Sequence, residues 1–290
     1  MNRPPVVQLF YNPHAGTHSV RGLRELVAAF EAEGACVMPS PSIDHVPEIA
    51  EQTTHVCIAG GDGTVRHVAS AMVHAMAGNG ITIPAAIYPF GTVNLLARED
   101  PVSRTPAEFA YRLLHGGSSR PHHPVTIGDT MFFACASIGP DSLIVSRVSQ
   151  QLKHRLGRLA YVTAFVRLIW NWPRPRLRLR ANGRTLDCEA VFIAKAHYYA
   201  GPWSFAPAAR VTDRLLHVVA LRRARRRDFL RFAWAMLRGR DPAALDGVTG
   251  FTCTRLAIDC ADGIPVQADG DIVAHGPVEL AIHDTAVLFR

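Results

Sequence analysis

Three stretches of the chain share one pattern, and this repetition limits the fold more than any other feature. In each, an apolar strand-like run ends in a polar, glycine-containing loop that leads directly into a run with helical spacing. Strands that alternate with helices predict a parallel sheet whose strand-to-helix turns all lie at one edge. Ligands of such sheets bind at that edge. The loops, each with the run before it, are Asn12–Gly16 after Val6–Phe10, Gly60–Thr64 after His55–Ala59, and Gly91–Asn94 after Ile83–Tyr88.

The middle loop, Gly60-Gly61-Asp62-Gly63-Thr64, has the chemistry of a phosphate site. Its glycines let the backbone approach an anion, and the helix that follows presents unpaired N–H groups and a partial positive charge. The alternative is a tight turn in which Asp62 or Thr64 only caps the helix. The chain contains no Gly-Lys pair, so a P-loop is excluded, and Arg66 breaks the G-x-G-x-x-G pattern. The protein-kinase motifs Asp-Phe-Gly and His-Arg-Asp are also absent.

A second domain is predicted after residue 122, which gives an α/β domain over 1–122 and a mainly antiparallel β domain over 123–290. The extreme C-terminus is expected to pack back on the first domain. Arg120–Pro124 is the predicted hinge, with His122 and His123 facing solvent. Strand-like runs are Thr130–Ser137, Leu177–Arg180, Glu189–Lys195, Leu215–Leu221, Thr254–Asp259 and Val278–Ile282, and helix-like runs are Leu143–Trp172 and about Arg227–Leu237.

The net charge of +7 comes almost wholly from arginine, since Lys153 and Lys195 are the only lysines. This charge favours anionic partners: nucleic acid, acidic lipid or a phosphorylated substrate. The basic run Arg222–Arg227 and the apolar residues after it have two interpretations, a membrane-binding amphipathic element and a buried helix. The six cysteines form no C-x-x-C pair and nothing at the N-terminus resembles a signal peptide, so a cytoplasmic protein is expected. The most apolar segment, Leu156–Trp172, contains two arginines and is too short to span a bilayer, so no transmembrane anchor is expected.

Asn12-Pro13-x-x-Gly16, Gly60-Gly61-Asp62-Gly63-Thr64 and Pro89-x-Gly91-Thr92-x-Asn94-x-x-Ala97-Arg98, in this order, resemble the diacylglycerol kinase catalytic domain family. That family includes bacterial lipid kinases, sphingosine kinases and ceramide kinases, and it is related to the NAD kinases. The resemblance extends over nearly the whole chain. Its later parts are Ser137–Asp141, Leu156–Tyr161, Ala206-Pro207 ahead of Asp213, and Gln267–Asp271.

The resemblance implies roles for particular residues. Asp62 would lie near the ATP phosphates, either coordinating the catalytic Mg²⁺ or fixing the loop. Asp271, in Asp269-Gly270-Asp271, would accept the proton of the lipid hydroxyl, although the family more often has the longer glutamate there. We include Asp269 with these two as a catalytic candidate. The residues expected to bind ATP are Asn12, Ser40, Gly60, Gly61, Asp62, Gly63, Thr64, Val65, Arg66, His67, Gly91, Thr92 and Asn94.

A second Mg²⁺ site of bacterial members maps to Asp213 with the backbone carbonyls of Arg210 and Leu215. Here Arg214 replaces the usual glycine, and Thr212 stands where another acidic residue is common. With these departures, the survival of this structural metal site stays open.

The implied function is transfer of the γ-phosphoryl group of ATP, with Mg²⁺, to the hydroxyl of diacylglycerol, a sphingoid base or ceramide. Such an enzyme would bind lipid and attach peripherally to the inner membrane face. Nucleic acid is not an expected partner, and a homodimer stays open. Two alternatives remain: a kinase of a soluble substrate, of the NAD kinase type, and a catalytically silent nucleotide- or lipid-binding regulator. Arg66-His67 and the altered Asp213 turn suggest the regulator.

Overall fold

A computed structural model of the chain describes residues 3–42, 47–79, 82–99, 105–147 and 172–290. The chain forms two compact units. The first contains the chain up to His123 together with Asp284–Arg290, and the second contains Pro124–His283. In the residues described, no helix is both long enough and apolar enough to cross a bilayer.

The first unit is a six-stranded sheet with helices. Its strands are β1 (Val6–Tyr11), β2 (Cys36–Pro41), β3 (His55–Gly60), β4 (Pro84–Pro89), β5 (Arg120–His122) and the last strand of the chain, β18 (Val287–Phe289). Its helices are α1 (Val20–Ala32), α2 (Asp62–Asn79), α3 (Leu95–Glu99) and α4 (Pro106–His115). The strand order is β2-β1-β3-β4-β18-β5, and every neighbouring pair is parallel except β18 with β5.

The apolar runs of β1 and β3 are buried in the middle of this sheet, which explains their near-continuous hydrophobicity. Ser19 caps the N-terminus of helix α1, since its hydroxyl accepts the N–H of Gly22 at 3.0 Å, and the helix buries Leu26 and Phe30. The Phe30 ring packs edge-on against Phe109 of α4 at 6.1 Å. Because β1, β3 and β4 run parallel, the loops that follow them lie at one edge of the sheet.

The second unit is a β-sandwich. Its strands are β6 (Val125–Ile127), β7 (Thr130–Phe132), β8 (Cys135–Ile138), β9 (Leu177–Ala181), β10 (Arg184–Cys188), β11 (Ala190–Ala194), β12 (Leu216–Leu221), β13 (Val248–Cys253), β14 (Arg255–Cys260), β15 (Pro265–Ala268), β16 (Asp271–His275) and β17 (Val278–Ile282). They form two sheets, β10-β9-β14-β17-β6-β7 and β13-β12-β11-β8-β15-β16, in which all recorded pairs are antiparallel. The described residues of this unit also form two helices, α5 (Pro140–Arg147) and α6 (Arg226–Leu237), and a 3₁₀ turn (Pro242–Ala244).

Both sheets contribute to one apolar core, with Ile127, Leu179 and Ile258 from one and Val191, Val218 and Val266 from the other. The predicted fold class, an α/β domain with a parallel sheet plus a mainly antiparallel β domain, is therefore confirmed.

The structure corrects the sequence-based expectations for two segments. The run predicted as one strand, Thr130–Ser137, is two strands, β7 and β8. The segment predicted as a solvent-facing hinge contains β5, where His122 is only 3% exposed and its ring lies 5.9 Å from Phe289 of β18. Proline suits β5 because it is an edge strand. Of the long helix predicted from Leu143, residues 148–171 lie outside the described part of the chain.

Candidate functional site

Backbone hydrogen bonds join the three predicted loops. At the start of the first loop, the N–H of Asn12 donates to the carbonyl of Ala59 at 3.3 Å, and directly after the loop the N–H of Thr17 donates to the carbonyl of Phe90 at 2.9 Å. The N–H of Phe90 donates in turn to Gly60 at 3.1 Å, which connects the loop after β4 to the loop after β3. Three segments far apart in sequence therefore form one continuous backbone surface at the carboxyl edge of the sheet.

Glycines let these loops approach each other without side chains between them. A Cβ on Gly91 would overlap the Cα of Gly61, and a Cβ on Gly16 would lie 2.6 Å from the Thr92 hydroxyl. A Cβ on Gly60 would lie 2.5 Å from Thr64, which is buried in the first turn of α2. The surface is thus made of main chain at the points where a phosphate group would have to come close.

Asp62 is the first residue of α2, where a negative side chain interacts favourably with the helix dipole. Its Oδ1 accepts the N–H of Leu96 at 3.2 Å, which links the middle loop to the start of α3. Two roles were expected for Asp62, binding Mg²⁺ and fixing the loop, and this contact corresponds to the second.

Asn94 provides the clearest sign that the loops can hold a further polar group. It has a left-handed backbone conformation, with φ +53°, and its Nδ2 donates to the carbonyl of Gly91 at 2.7 Å. Its Oδ1 is buried and has no hydrogen-bond partner in the described residues. A buried acceptor without a donor is costly, and a hydroxyl group of a nucleotide or a water molecule supplies such a donor.

The other residues predicted to bind ATP differ in their solvent exposure and in their hydrogen bonds. Asn12 Oδ1 accepts the N–H of His14 at 2.8 Å and so shapes its own loop. Ser40 is half-buried in β2, with its hydroxyl 3.5 Å from Gln8 Nε2. Val65 points into the core and its N–H bonds Gly61 at 3.0 Å, so neither group faces outward. Gly63 and Arg66 are half-buried, and His67 and Thr92 are exposed.

Phe90 is a contributor that the sequence reasoning missed. It is buried, its main chain bonds both other loops, and its ring packs edge-on against His18 at 5.5 Å. His18 also stacks on Tyr11 at 6.0 Å. The signal was present in the sequence, because Phe90 is a large apolar residue between Pro89 and Gly91, inside a polar loop.

In the second unit, Asp269 and Gly270 form a two-residue turn between β15 and β16. Both have positive φ, +48° and +88°, as a type I′ hairpin requires, and Ala268 pairs with Asp271 across it. The Asp269 carboxylate accepts the N–H groups of Phe133, Ala134 and Cys135 at 2.8, 2.9 and 3.1 Å. Asp269 is 5% exposed. These contacts make it an anchor for the turn, whereas Asp271, the first residue of β16, is half-buried.

A second acidic group belongs to a polar cluster on the neighbouring strand. The Ser137 hydroxyl lies 2.5 Å from Asp141 Oδ2 and 3.1 Å from Gln267 Oε1, and Tyr199 also hydrogen-bonds Asp141. Burial raises the pKa of Asp141, although the hydrogen bonds from Ser137 and Tyr199 oppose the shift. Burial and the Asp141 carboxylate together raise the pKa of Tyr199 well above its usual value. Gln267 lies two residues before the Asp269 turn, so this cluster adjoins it along β15.

The residues predicted to form the second Mg²⁺ site do not fit a divalent cation. Asp213 is the only carboxylate between Arg210 and Leu215, is partly exposed, and lies 3.9 Å from His217 Nε2. The carbonyl of Val211, in the same turn, accepts the ammonium group of Lys195 at 2.6 Å, and Lys195 is completely buried. In the described residues, no three His, Cys, Asp or Glu side chains are grouped as metal ligands would be.

Comparison with known proteins shows two family matches. Residues 6–127 match the diacylglycerol kinase catalytic domain, and residues 134–288 match the YegS C-terminal NAD kinase beta sandwich-like domain. The chain is 24% identical over 247 residues to a diacylglycerol kinase of Bacillus subtilis, covering 80% of this chain and 78% of that protein. It is 30% identical over 175 residues to a Pseudomonas putida protein named "Probable lipid kinase YegS-like", covering 60% of this chain and 57% of the relative.

Among solved structures, the crystal structure of a diacylglycerol kinase from Bacillus anthracis is similar, with a TM-score of 0.78. The similarity covers 100% of this chain and 98% of that one at 19% sequence identity. At this identity the structure supports the fold alone.

Proposed function

The chain belongs to the diacylglycerol kinase catalytic domain family, and from this premise we propose that it transfers the γ-phosphoryl group of ATP to a lipid hydroxyl. The observation that carries the proposal is the joined surface of the three loops, where the main chains of Gly61 and Gly91 approach so closely that a Cβ on Gly91 would overlap Gly61. Phosphoryl transfer depends mainly on positioning and on neutralising charge, so backbone donors at this surface are suited to it.

The first unit would bind the nucleotide. Its phosphates would lie at Gly60–Gly63, near the N-terminus of α2, and the vacant acceptor of Asn94 would take a nucleotide hydroxyl. Mg²⁺ would enter with ATP and spread the negative charge of the phosphates. Asp62 would be a candidate protein ligand of that ion, and its Oδ1 accepts the N–H of Leu96.

Asp271 would be the proton acceptor. As the lipid oxygen bonds to the γ-phosphorus and the bond to ADP breaks, the hydroxyl proton would pass to the Asp271 carboxylate. Aspartate reaches one methylene less far than glutamate, so its backbone position matters more. The type I′ turn and the Asp269 anchor hold that position. Asp269 would then be a positioning residue for Asp271.

The acceptor belongs to the class of lipids with a free hydroxyl: diacylglycerol, a sphingoid base or ceramide. Such a substrate resides in a bilayer, so the enzyme would act at the inner membrane face as a peripheral protein. We keep a homodimer as a proposal to be tested by sedimentation. A second candidate function is phosphorylation of NAD, because the C-terminal match is described as NAD kinase beta sandwich-like.

One assay tests the proposed function: purified protein with labelled ATP and Mg²⁺, offered each lipid in mixed micelles and, separately, NAD. We expect labelled product from a lipid and none from NAD. Asp271→Asn and Asp62→Asn should each lose at least about a hundredfold in rate, whereas Asp129→Asn, an exposed carboxylate of the second unit, should keep full activity.

Other outcomes favour the alternatives. Full activity of both Asp variants would reject the residue assignment. Label in NAD alone would favour the soluble-substrate kinase. Tight ATP binding with no transfer to any acceptor would favour the silent regulator.

A further inference from the structure

Helix α6 presents an apolar stripe to solvent on the side opposite to its buried face. Phe229, Phe232, Ala235 and Met236 are buried. Leu230, Trp234 and Leu237 are 54%, 59% and 46% exposed, although each is large and hydrophobic. Their spacing of four and three residues places them on one helical face. The core does not need these side chains, because the opposite face already packs into it.

Arginines border this stripe. Arg227, Arg231 and Arg238 are exposed, and the guanidinium of Arg238 lies 4.6 Å from the centre of the Trp234 ring. This cation–π contact holds a charged group beside an aromatic side chain while both stay exposed to solvent. Tryptophan and leucine flanked by arginine are typical of a helix that lies in the plane of a membrane interface.

The charge balance of the chain singles out the same segment. Residues 222–240 contain eight arginines and one acidic residue, Asp228, a surplus of seven positive charges. The net charge of the whole chain is also +7, so the remaining residues are neutral as a group. Seven of the eight arginines are exposed: Arg222, Arg223, Arg226, Arg227, Arg231, Arg238 and Arg240.

We propose that the exposed face of Arg222–Arg240 docks on an anionic lipid bilayer, with Leu230, Trp234 and Leu237 inserted among the headgroups. Charge complementarity selects an anionic surface, and the apolar stripe selects a bilayer over nucleic acid, which offers no apolar layer to cover leucine. The proposal rests on the proposed function only in its choice of a lipid surface. Its test needs neither ATP nor turnover, so it can fail or succeed independently of the kinase assignment.

The test is co-sedimentation of the full chain with phosphatidylglycerol-rich vesicles and with pure phosphatidylcholine vesicles. Wild type should bind the anionic vesicles and lose this binding as salt is raised. Leu230→Ser with Leu237→Ser should bind about tenfold more weakly or worse. Arg227→Glu with Arg231→Glu should bind at least about 25-fold more weakly. Arg184→Glu and Val20→Ser, at exposed positions elsewhere, should bind as wild type does.

Several results would overturn the proposal. One is vesicle binding that neither double variant changes, and another is equal binding to both kinds of vesicle. Retention of an oligonucleotide that is unaffected by the leucine changes would indicate nucleic acid instead. A dimer that the double variants convert to monomer, without vesicle binding, would indicate that a second copy covers the stripe. All substituted side chains are exposed, and thermal melts of each variant establish that it folds.

A second, independent observation concerns the turn Arg210–Leu215. Lys195 is one of only two lysines in the chain, and its side chain is completely buried. Its ammonium group donates to the Val211 carbonyl at 2.6 Å, and its main-chain N–H donates to Ala134 at 2.8 Å. The N–H of Ala134 binds the Asp269 carboxylate at 2.9 Å. Lys195 therefore connects this turn to the residues that anchor the Asp269 hairpin.

We infer that Lys195 does for this turn what a bound divalent cation would otherwise do: it supplies positive charge to main-chain carbonyl oxygen. Thermal melts without nucleotide, in EDTA and in Mg²⁺, should be the same for wild type. Lys195→Met, which keeps the length and removes the charge, should melt about 5 to 10 °C lower. The conservative Arg184→Lys, at an exposed position elsewhere in the same unit, should melt as wild type does.

A wild-type melt that EDTA lowers and Mg²⁺ restores would overturn this second inference, and so would an unchanged melt for Lys195→Met. If Lys195→Met does not fold, the comparison of wild-type melting temperatures in EDTA and in Mg²⁺ still tests the inference.

Discussion

At the scale of single residues, Asp269 and Asp271 show how two identical side chains, two positions apart, acquire different environments. The left-handed conformation of Asp269 turns its carboxylate toward three main-chain N–H groups of residues 133–135. Asp271 is the first residue of the next strand and is half-buried. Sequence alone indicates that the Asp-Gly-Asp motif matters. It cannot assign Asp269 as the anchor, because the partners of its carboxylate lie more than a hundred residues earlier in the chain.

Substitution should separate these two residues. Asp269→Asn replaces one acceptor oxygen with a donor that faces an N–H group, so it should lower the free energy of unfolding by about 2–4 kcal/mol. Asp271→Asn should leave that free energy within about 0.5 kcal/mol of wild type while abolishing transfer. Urea unfolding followed by circular dichroism measures both. Asp262→Asn, at an exposed position in the same unit, is the control and should change neither quantity.

His55 predicts a pH dependence for the first unit. Burial, reinforced by the positive charges of Arg290 and His115, lowers the pKa of His55 from 6.5 to about 4. The unfolded chain therefore binds more protons than the folded chain between these values, and stability falls as the pH drops through that window. Thermal melts from pH 7 to about pH 4 should show this loss. His55→Gln, which cannot take up a proton, should reduce the slope, and an identical slope would reject the assignment.

At the scale of elements, the sequence predicts best where one physical cause dominates. Strands β1, β3 and β4 are apolar because they lie inside a parallel sheet, and their shared direction brings Asn12, Gly60 and Gly91 to one edge. Strand β5 was not predicted because Arg-Pro-His carries no strand signal. Among the described strands, β5 pairs with β18 alone. The sequence also gives no sign of the break between β7 and β8, because Phe132, Phe133 and Ala134 are all apolar. At this break the main-chain N–H groups of Phe133 and Ala134 bind the distant Asp269 carboxylate instead of a strand.

Strand β18 should be essential for the first unit. It pairs with β4 and β5, and Arg290 bonds the main chain of Ala85 at 2.9 Å and of Leu113 at 2.7 Å. Removal of Asp284–Arg290 would expose the edge of β4 and would take away Phe289, whose ring packs against the buried His122. We expect a melting temperature at least about 5 °C lower and increased aggregation. Arg290→Ala should give a smaller decrease, and a truncated chain that melts as the full chain does would contradict the role of β18.

At the scale of the whole molecule, charge and apolar surface are distributed unevenly. One segment of the second unit contains the entire net charge, together with three of the large exposed hydrophobic side chains. The same unit contains Asp271, the proposed proton acceptor for the lipid hydroxyl. In the proposed function, membrane attachment and lipid chemistry are thus both tasks of the second unit, while nucleotide binding is a task of the first.

The strand order of the first unit also has a consequence for folding during translation. β18 lies between β4 and β5, yet it follows the whole second unit in the chain. While the intervening residues are being translated, the nascent first unit has an open edge at β4, whose N–H and C=O groups can pair with other strands. The domain that emerges first is therefore completed last, and the growing chain should depend on chaperones over that interval.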